Sequence, residues 1–435
     1  MPPLALLDNA LDLPVWTIAP FALLLVTIAV LPLAAPHWWH SNRNRLIVSL
    51  GFAVPVAVYL VGLQLATGMD TIHPLLHELR QYLSFILLLG SLYVVSGGIV
   101  VGGDLEGRPL TNAAFLCVGA VLANIIGTTG ASVLLIRPLL RSNRQRSNTR
   151  HLPVFFIFIV SNLGGLLTPL GDPPLFLGFL NGVPFYWTLT LWREWLLVNG
   201  LVLAIFLVWD NIAFHRESAE AHARAMREYE PLSFKGSVNV PLLVGVMVGV
   251  LMQKLIPAPY GEWVGIFIMA IMAGLSLKLT PSELRAANGF TWGPILEVAI
   301  LFLGIFVTMV PALQILEKHR EEFGLTEPWQ YFWLTGGLSA CLDNAPTYMT
   351  FVTLAAGETE HIGKLVTTAP HLLEAISCGA VFMGALTYIG NGPNFMVKAI
   401  AEEAGFRTPS FFGYMAYSCV VLLPVFGVVT VVFFR

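Results

Sequence analysis

The sequence predicts an all-helical protein that crosses a membrane many times. Hydrophobic residues make up 56% of its 435 residues and charged residues only 11%, and the mean hydropathy is +0.75. Apolar runs of spanning length, about 20 residues, recur along the chain. Two of these runs are broken by matching motifs rich in glycine and proline. The composition excludes a soluble domain, and paired helix breaks are typical of secondary transporters.

Ten spans are predicted from windows of about 20 apolar residues. Two further apolar runs, 110–141 and 329–357, are interrupted at their middles by polar and small residues. The hydrophilic insert Asn211–Gly236 divides the chain near its centre. The predicted spans are 14–35, 46–66, 82–102, 152–181, 186–210, 237–256, 262–279, 293–316, 369–404 and 410–434.

The distribution of Lys and Arg favours re-entrant hairpins at 110–141 and 329–357. With two hairpins, one side of the membrane holds 16 of the 23 Lys and Arg residues and the other holds 7, and the richer side is cytoplasmic. With two full spans, Arg137–Arg150 would lie on the side opposite Arg43. We therefore expect a multi-pass protein of the cell's inner (plasma) membrane, with Asn211–Gly236 in the cytoplasm and both termini on the outer side.

This topology makes the chain an inverted repeat, because each half has three spans, a hairpin, a broken span and a final span. The predicted halves are residues 1–215 and 237–435, joined by a cytoplasmic linker at 216–236. The hairpins are 110–141 and 329–357, and the broken spans are 152–181 and 369–404. Matching blocks recur 214 to 219 positions apart: Leu89-Gly90 with Leu303-Gly304, Gly127–Ser132 with Asp343–Tyr348, and Thr168 with Thr387.

The two helix breaks share the pattern T-x-(L/I)-G-(D/N)-x-P-x-F, beginning at Thr168 and at Thr387. Proline removes a backbone donor and interrupts a helix. In lipid such a break is tolerated only where protein or a water-filled cavity satisfies the freed groups. Hydroxyl, amide and carbonyl oxygens are hard ligands that suit Na⁺. We expect the two breaks and the two hairpin tips to converge on one cation site.

The candidate residues are the polar and small residues at these four interruptions. The predicted cation- and proton-binding residues are Thr128, Thr129, Thr168, Asp172, Asp343, Asn344, Thr387 and Asn391. The predicted supporting residues are Asn124, Ser161, Asn162, Gly171, Thr347, Gly390 and Asn394. Glu297 and Glu374 are candidates for a proton route, or else reach the membrane interface. The alternative for the whole set is helix packing by small residues, which four matched clusters disfavour.

Asp172 and Asp343 are expected to determine the chemistry. A charged carboxylate at bilayer depth costs about 2.5–3.5 kcal/mol, so it is retained where it pairs, titrates or binds a ligand. The four motifs contain no Lys or Arg, so two neighbouring acids are expected to hold a proton and release it when a cation arrives. The alternative is that each aspartate caps a half-helix.

The motifs S-N-x-G-G-x-x-T-P-x-G-D-P-P, D-N-x-P-T and T-x-I-G-N-x-P-N resemble those of the ion transporter superfamily over nearly the whole chain. This group includes NhaD-type sodium/proton antiporters and sodium-coupled citrate and dicarboxylate transporters. The resemblance implies a homodimer whose scaffold helices hold two mobile transport domains that move as elevators. It also implies cation sites at the interruptions, here Thr128, Thr129, Thr168, Asn344 and Asn391.

The aspartates resemble the antiporter branch, where acidic residues at the GD and DN motifs bind cation and proton. Carboxylate symporters have Ser-Asn-Thr at the hairpin tips, where this sequence has Gly-Thr-Thr and Asp-Asn-Ala. We therefore expect exchange of Na⁺ or Li⁺ for H⁺. The alternative is Na⁺-coupled symport of citrate or a dicarboxylate. The expected Na⁺ ligands are Thr129, Thr168, Asp172, Asn344 and Asn391.

Other classes of function are disfavoured. The central insert has no phosphate-binding loop, which argues against an ATP-driven pump. A channel does not need two breaks related by inversion. No enzyme activity, cofactor or nucleic-acid partner is expected; the expected partners are Na⁺ or Li⁺, H⁺, the lipid bilayer and a second copy of the chain.

Overall fold

The computed structural model describes residues 13–103, 106–217, 233–257, 260–318, 322, 324–357 and 361–435. Eight helical segments of these residues are long and apolar enough to cross a membrane, so the predicted all-helical polytopic class is confirmed. Most of the predicted linker 216–236 lies outside the described residues. The division into repeats at 1–215 and 237–435 stays a prediction.

The first half of the chain contains the following helices: α1 (Ala19–Ala34), α2 (Pro36–Trp39), α3 (Asn42–Thr67), α4 (Ile72–Ser96), α5 (Pro109–Ser142), α6 (His151–Ile159), α7 (Pro173–Leu180) and α8 (Trp192–His215). Short 3-10 helices lie at Val15–Ile18, Leu163–Leu166 and Phe185–Leu191.

The second half contains α9 (Asn239–Leu255), α10 (Tyr260–Leu279), α11 (Ser282–Ala287), α12 (Gly293–Lys318), α13 (Pro328–Cys341), α14 (Asn344–Ala356), α15 (Leu365–Thr368), α16 (Pro370–Met383), α17 (Gly392–Glu403) and α18 (Phe411–Phe433). Short 3-10 helices lie at Ile362–Lys364 and Gly384–Leu386.

The span predicted at 82–102 is wrong at both ends, because α4 runs from Ile72 to Ser96. Its first turns contain polar side chains that a hydropathy window rejects but that pair inside the protein. Gln81 exchanges two hydrogen bonds with Asn181, of 3.1 and 2.9 Å. Because its amide group is satisfied by Asn181, Gln81 is tolerated in the buried part of α4.

Beyond α4 the chain forms a short strand that the hydropathy pattern did not indicate. Strand β1 (Val100–Gly102) pairs in antiparallel fashion with β2 (Ser233–Lys235). The pair joins the loop before α5 to the end of the central insert. The strand pair therefore connects the segment just before α9, the first helix of the second half, to the segment just before the first hairpin.

Helix α5 is a hairpin that folds back at Gly127. The backbone there has φ +77°, a conformation that favours glycine. A straight helix of its 34 residues would be about 50 Å long, yet Asn112 and Asn143, near its two ends, exchange side-chain hydrogen bonds of 3.0 and 2.7 Å. The two arms of α5 therefore lie side by side.

Helices α13 and α14 form a second reversal, joined by Leu342 and Asp343 in extended conformation. Their arms lie close together, since the rings of Tyr331 and Phe351 are 6.4 Å apart between centroids. Each half of the chain thus contains a hairpin followed by an interrupted helix, namely α6 with α7 and α16 with α17.

The interrupted helices lie in the interior of the molecule. All nine residues of α6 are buried, whereas α3 and α10 expose large apolar side chains such as Val58 and Phe267. A helix that exposes apolar residues suits contact with lipid. The breaks are therefore surrounded by protein, where their freed backbone groups find partners.

Candidate functional site

The carboxylate of Asp172 lies where the four interruptions meet, and the residue is only 1% exposed. Its Oδ1 accepts hydrogen bonds from the Thr128 hydroxyl (3.1 Å) and the Asn391 amide (3.1 Å). Its Oδ2 accepts one from the Asn344 amide (2.5 Å). Thr128 follows the first hairpin turn, Asn344 begins α14 and Asn391 lies in the second break. One residue from each of the other three interruptions thus contacts Asp172.

Asp172 is available for these contacts because of the two residues that follow it. An aspartate before a helix normally accepts a hydrogen bond from the first turn. Here the first two helical positions are Pro173 and Pro174, which have no N–H, and Asp172 makes no such side-chain bond. Its carboxylate instead receives donors from elsewhere in the chain.

Asp343, in contrast, caps its own helix. Its carboxylate accepts a hydrogen bond from the Ala345 N–H (3.1 Å), and its carbonyl accepts one from the Thr347 hydroxyl (2.9 Å). Within the described residues its side chain has no further hydrogen bond. The capping alternative therefore describes Asp343, and the structure shows no hydrogen bond between this carboxylate and Asp172.

Asn344 holds an oxygen that lacks a partner. The residue is fully buried, and while its amide nitrogen donates to Asp172, its Oδ1 accepts no hydrogen bond within the described residues. A buried acceptor without a donor costs about 1–3 kcal/mol. This oxygen is a free ligand beside a carboxylate, which fits a cation or a proton donor.

The amides of Asn162 and Asn394 join the two breaks to each other. Asn162 donates to Asn394 Oδ1 (2.7 Å) and accepts from Asn391 (3.2 Å). Asn394 in turn donates to the carbonyls of Gly384 (2.8 Å) and Thr387 (2.9 Å). These predicted supporting residues fix Asn391 beside Asp172.

Ser161 supports the same arrangement from the first break. Its carbonyl accepts a hydrogen bond from the Asn391 amide (3.2 Å). Its hydroxyl lies 2.8 Å from that of Ser132, and both serines are fully buried. Ser161 thereby ties an arm of the first hairpin to the break.

Thr168 and Thr387 fasten each break to its own hairpin by the same bond. The Thr168 hydroxyl donates to the Asn124 carbonyl and the Thr387 hydroxyl to the Ala340 carbonyl, both at 2.5 Å. The donors are 219 positions apart and the acceptors 216, which are the separations of the sequence motifs. The matched bonds support the predicted repeat, and they assign both threonines to positioning rather than to contact with Asp172.

Asn124 adds a second link, because its side-chain oxygen accepts a hydrogen bond from the Leu167 N–H (2.8 Å). Its side chain therefore binds backbone and not the Asp172 carboxylate. Like the two threonines, it determines where the break lies relative to the hairpin.

Gly171 and Gly390 allow the chain to approach itself closely at each break. A Cβ on Gly171 would lie 2.1 Å from the Gly165 carbonyl oxygen, and one on Gly390 would lie 2.6 Å from that of Gly384. The Gly171 carbonyl also accepts a hydrogen bond from the Thr128 N–H (2.8 Å). Neither position has room for a side chain.

Some predicted site residues do not contact Asp172. Thr129 is partly exposed and has no side-chain hydrogen bond within the described residues. Of the five expected Na⁺ ligands, the structure brings together Asp172, Asn344 and Asn391, and Thr128 takes the place expected for Thr129 and Thr168. The two glutamates of the candidate proton route also have other partners: Glu297 pairs with Arg45 (3.0 Å) and Glu374 with His371 (3.1 Å).

The sequence analysis missed a buried ionic network at the base of the first hairpin. Asp210 is fully buried and accepts hydrogen bonds from Arg146 (2.6 Å) and Asn112 (2.8 Å), with His151 Nε2 at 2.9 Å. Arg146 also pairs with Glu217 (3.0 Å). In the sequence, Asp210 is only an aspartate at the end of an apolar run. Such a residue is normally interpreted as lying at the membrane interface, and so the network was missed.

The sequence matches the family described as putative citrate transport over residues 10–434. No curated protein matches it. The family match covers nearly the whole chain and agrees with a helical membrane protein built around a buried polar site. The chain therefore belongs to the putative citrate transport family, within the ion transporter superfamily, and is a membrane transporter.

Proposed function

We propose that this transporter exchanges Na⁺ or Li⁺ for H⁺ at Asp172. The observation that carries the proposal is a buried carboxylate with three uncharged donors and, within the described residues, no Lys or Arg in contact with it. A charged group inside a membrane protein must be neutralised by a partner. A proton or a monovalent cation neutralises a single carboxylate, and the two compete for it.

The surroundings of Asp172 suit the cation-bound state. Thr128 offers a hydroxyl oxygen, and rotation of the Asn344 and Asn391 amides would turn their oxygens toward the ion. Together with the carboxylate these are hard oxygen ligands, which bind Na⁺ in preference to soft metals. Backbone carbonyl oxygens at the breaks complete the proposed site.

The same residues suit the protonated state. A neutral carboxyl group donates one hydrogen bond and needs an acceptor for it. The unpartnered Oδ1 of Asn344 becomes that acceptor when the amide rotates. Because one carboxylate serves both states, the site carries either ion but not both. The unoccupied site keeps its negative charge, which is too costly to move across the membrane, so exchange is obligatory.

We infer an elevator-type movement and a homodimer for this exchange. The contacts around Asp172 join both hairpins and both interrupted helices, so these elements are expected to move together. The outer helices, including α3 and α10, would form the scaffold and the dimer contact in the inner (plasma) membrane. No organic cofactor is needed for such a mechanism.

Na⁺-coupled symport of citrate or a dicarboxylate is the second candidate, and the family description favours it. The amides of Asn344 and Asn391 are donors that could bind a carboxylate, and three helices begin beside the site, where their N-termini attract anions. The negative charge of Asp172 opposes such a ligand, however, and no cation beside it balances that charge within the described residues. We therefore rank exchange first.

The proposal is tested with purified protein in proteoliposomes that contain a pH-sensitive dye. An imposed Na⁺ gradient should move protons in the opposite direction, and Asp172→Asn should reduce this movement to the level of empty liposomes. Asp70→Asn is the matched control, because Asp70 is exposed in the loop before α4, and it should retain the wild-type rate.

The same liposomes distinguish the two candidates. Exchange predicts Na⁺-driven proton movement in the absence of citrate. Na⁺-dependent accumulation of radiolabelled citrate, with no proton movement in its absence, would establish symport instead. Wild-type proton movement in Asp172→Asn would show that this carboxylate is not the exchanging group.

A further inference from the structure

A second candidate site lies away from Asp172, in a cavity of about 590 Å³. Two loops line this half-open cavity: residues 144–150, between α5 and α6, and residues 404–407, which follow α17. Both belong to the side of the protein that the Lys and Arg distribution predicts to be cytoplasmic. The volume is within the usual range of small-molecule sites.

The cavity is strongly basic. Four arginines line it, and of the described residues that line it none is acidic. The charge of Arg146 is balanced by Asp210 and Glu217. The other three arginines are Arg144, Arg150 and Arg407. Their side chains are exposed and form no ion pair with any described residue.

Among the described residues, the two acids nearest in sequence to Arg407 pair with other cations. Glu402 pairs with Lys398 (2.9 Å) and Glu403 with Arg137 (3.7 Å). Three guanidinium groups that line one cavity create a positive potential there, which attracts an anion. The remaining lining contains Ser147, Asn148 and Thr149, which add neutral hydrogen-bond donors.

We propose that this cavity binds a multivalent phosphate-bearing anion. Arginine presents several N–H donors in a planar fork that matches the oxygens of phosphate. Three arginines without an ion pair to any described residue suit an anion with more than one negative charge. The anion would bridge the loop that leads into the first interrupted helix and the loop that ends the second. The anion is either a soluble molecule of the pyrophosphate type or the headgroup of an anionic phospholipid. The experiment below distinguishes these two sources.

The test uses full-length protein in nanodiscs and measures its unfolding temperature. In neutral phosphatidylcholine nanodiscs, added pyrophosphate should raise this temperature in a saturable way if the ligand is soluble. In nanodiscs that contain phosphatidylinositol 4-phosphate, the temperature should be raised without pyrophosphate if the ligand is a lipid. Either response supports the site, and absence of both overturns it.

Two double variants establish where the anion binds. The double variant Arg150→Gln with Arg407→Gln should bind the anion about tenfold more weakly or worse, as measured by the anion concentration that gives half of the temperature shift. Each substitution removes charge-assisted hydrogen bonds. The matched control replaces Arg43→Gln and Arg216→Gln, which removes the same charge from two exposed arginines outside the cavity. Equal weakening in both variants would show non-specific attraction and would overturn the proposal.

Discussion

Asn391 donates a 3.1 Å hydrogen bond to the carboxylate of Asp172, and the two residues occupy the same position of the repeated motif, 219 residues apart. Two equivalent residues that touch must lie where the two copies of the motif meet. The chain therefore has one shared site and not one site per half. The site includes Asn344 and Thr128, which come from the two hairpins.

Proton and Na⁺ are expected to compete for Asp172. Below the pH at which this carboxyl is half protonated, the apparent affinity for Na⁺ should fall about tenfold per pH unit, because each cation must displace a proton. The Na⁺ dependence of transport in proteoliposomes, measured at several pH values, gives this slope. An apparent affinity that stays constant across the pH series would show that the two ions do not share the site.

Replacement of Asp343 should distinguish its role as a helix cap from any role of its negative charge in binding Na⁺. Asn is as good a cap as Asp, whereas Ala loses the bond to the Ala345 N–H, so Asp343→Ala should cost about 1 kcal/mol and Asp343→Asn only a few tenths. Chemical or thermal unfolding measures both. We expect Asp343→Asn to change Na⁺ affinity far less than Asp172→Asn, and equal losses would make Asp343 an equal ligand.

Alanine should not be tolerated at Gly171 or Gly390. Each new Cβ would lie within 2.6 Å of a backbone carbonyl oxygen, which cannot move as a flexible side chain does, so each variant should lose about 3 kcal/mol or more. The yield of monodisperse protein and its unfolding temperature report this loss. Gly392→Ala is the control, because nothing lies within 4 Å of its Cβ position, and a similar loss there would contradict the steric explanation.

Asp210→Asn should destabilise the first hairpin. It leaves the Arg146 guanidinium, which is almost fully buried, with one carboxylate fewer, and a broken buried ion pair typically costs about 3–5 kcal/mol. Unfolding of the purified protein measures this effect. Asp70→Asn, which makes the same change on the surface, should stay within about 0.5 kcal/mol of wild type.

The positions of the helix breaks were predictable because their chemistry is local. Glycine and proline interrupt a helix wherever they occur, so Thr168–Pro174 identified the first break without knowledge of the fold. The different roles of Asp172 and Asp343 also have a local cause, since two prolines follow the first and Asn344-Ala345 the second. The number of N–H groups after each aspartate is visible in the sequence.

Other contacts could not be predicted because they depend on how distant segments pack. The predicted repeat places Asn344 and Asp172 in one site, but nothing near Asn344 indicates that its amide donates directly to this carboxylate, 172 residues earlier. The burial of Gln81 in α4 depends on its bonds with Asn181, 100 residues away, whereas a hydropathy window counts Gln81 only as a polar residue. The burial of Asp210 likewise depends on Arg146, 64 residues away.

The ionic network around Asp210 also has a consequence for how the protein is made. All its members lie in the first half of the chain, so the network can form while the ribosome is still synthesising the second half. Asp172 must wait for Asn344, which at usual rates of synthesis takes roughly 10–30 s. During this time the nascent half-protein holds Asp172 without two of its three donors.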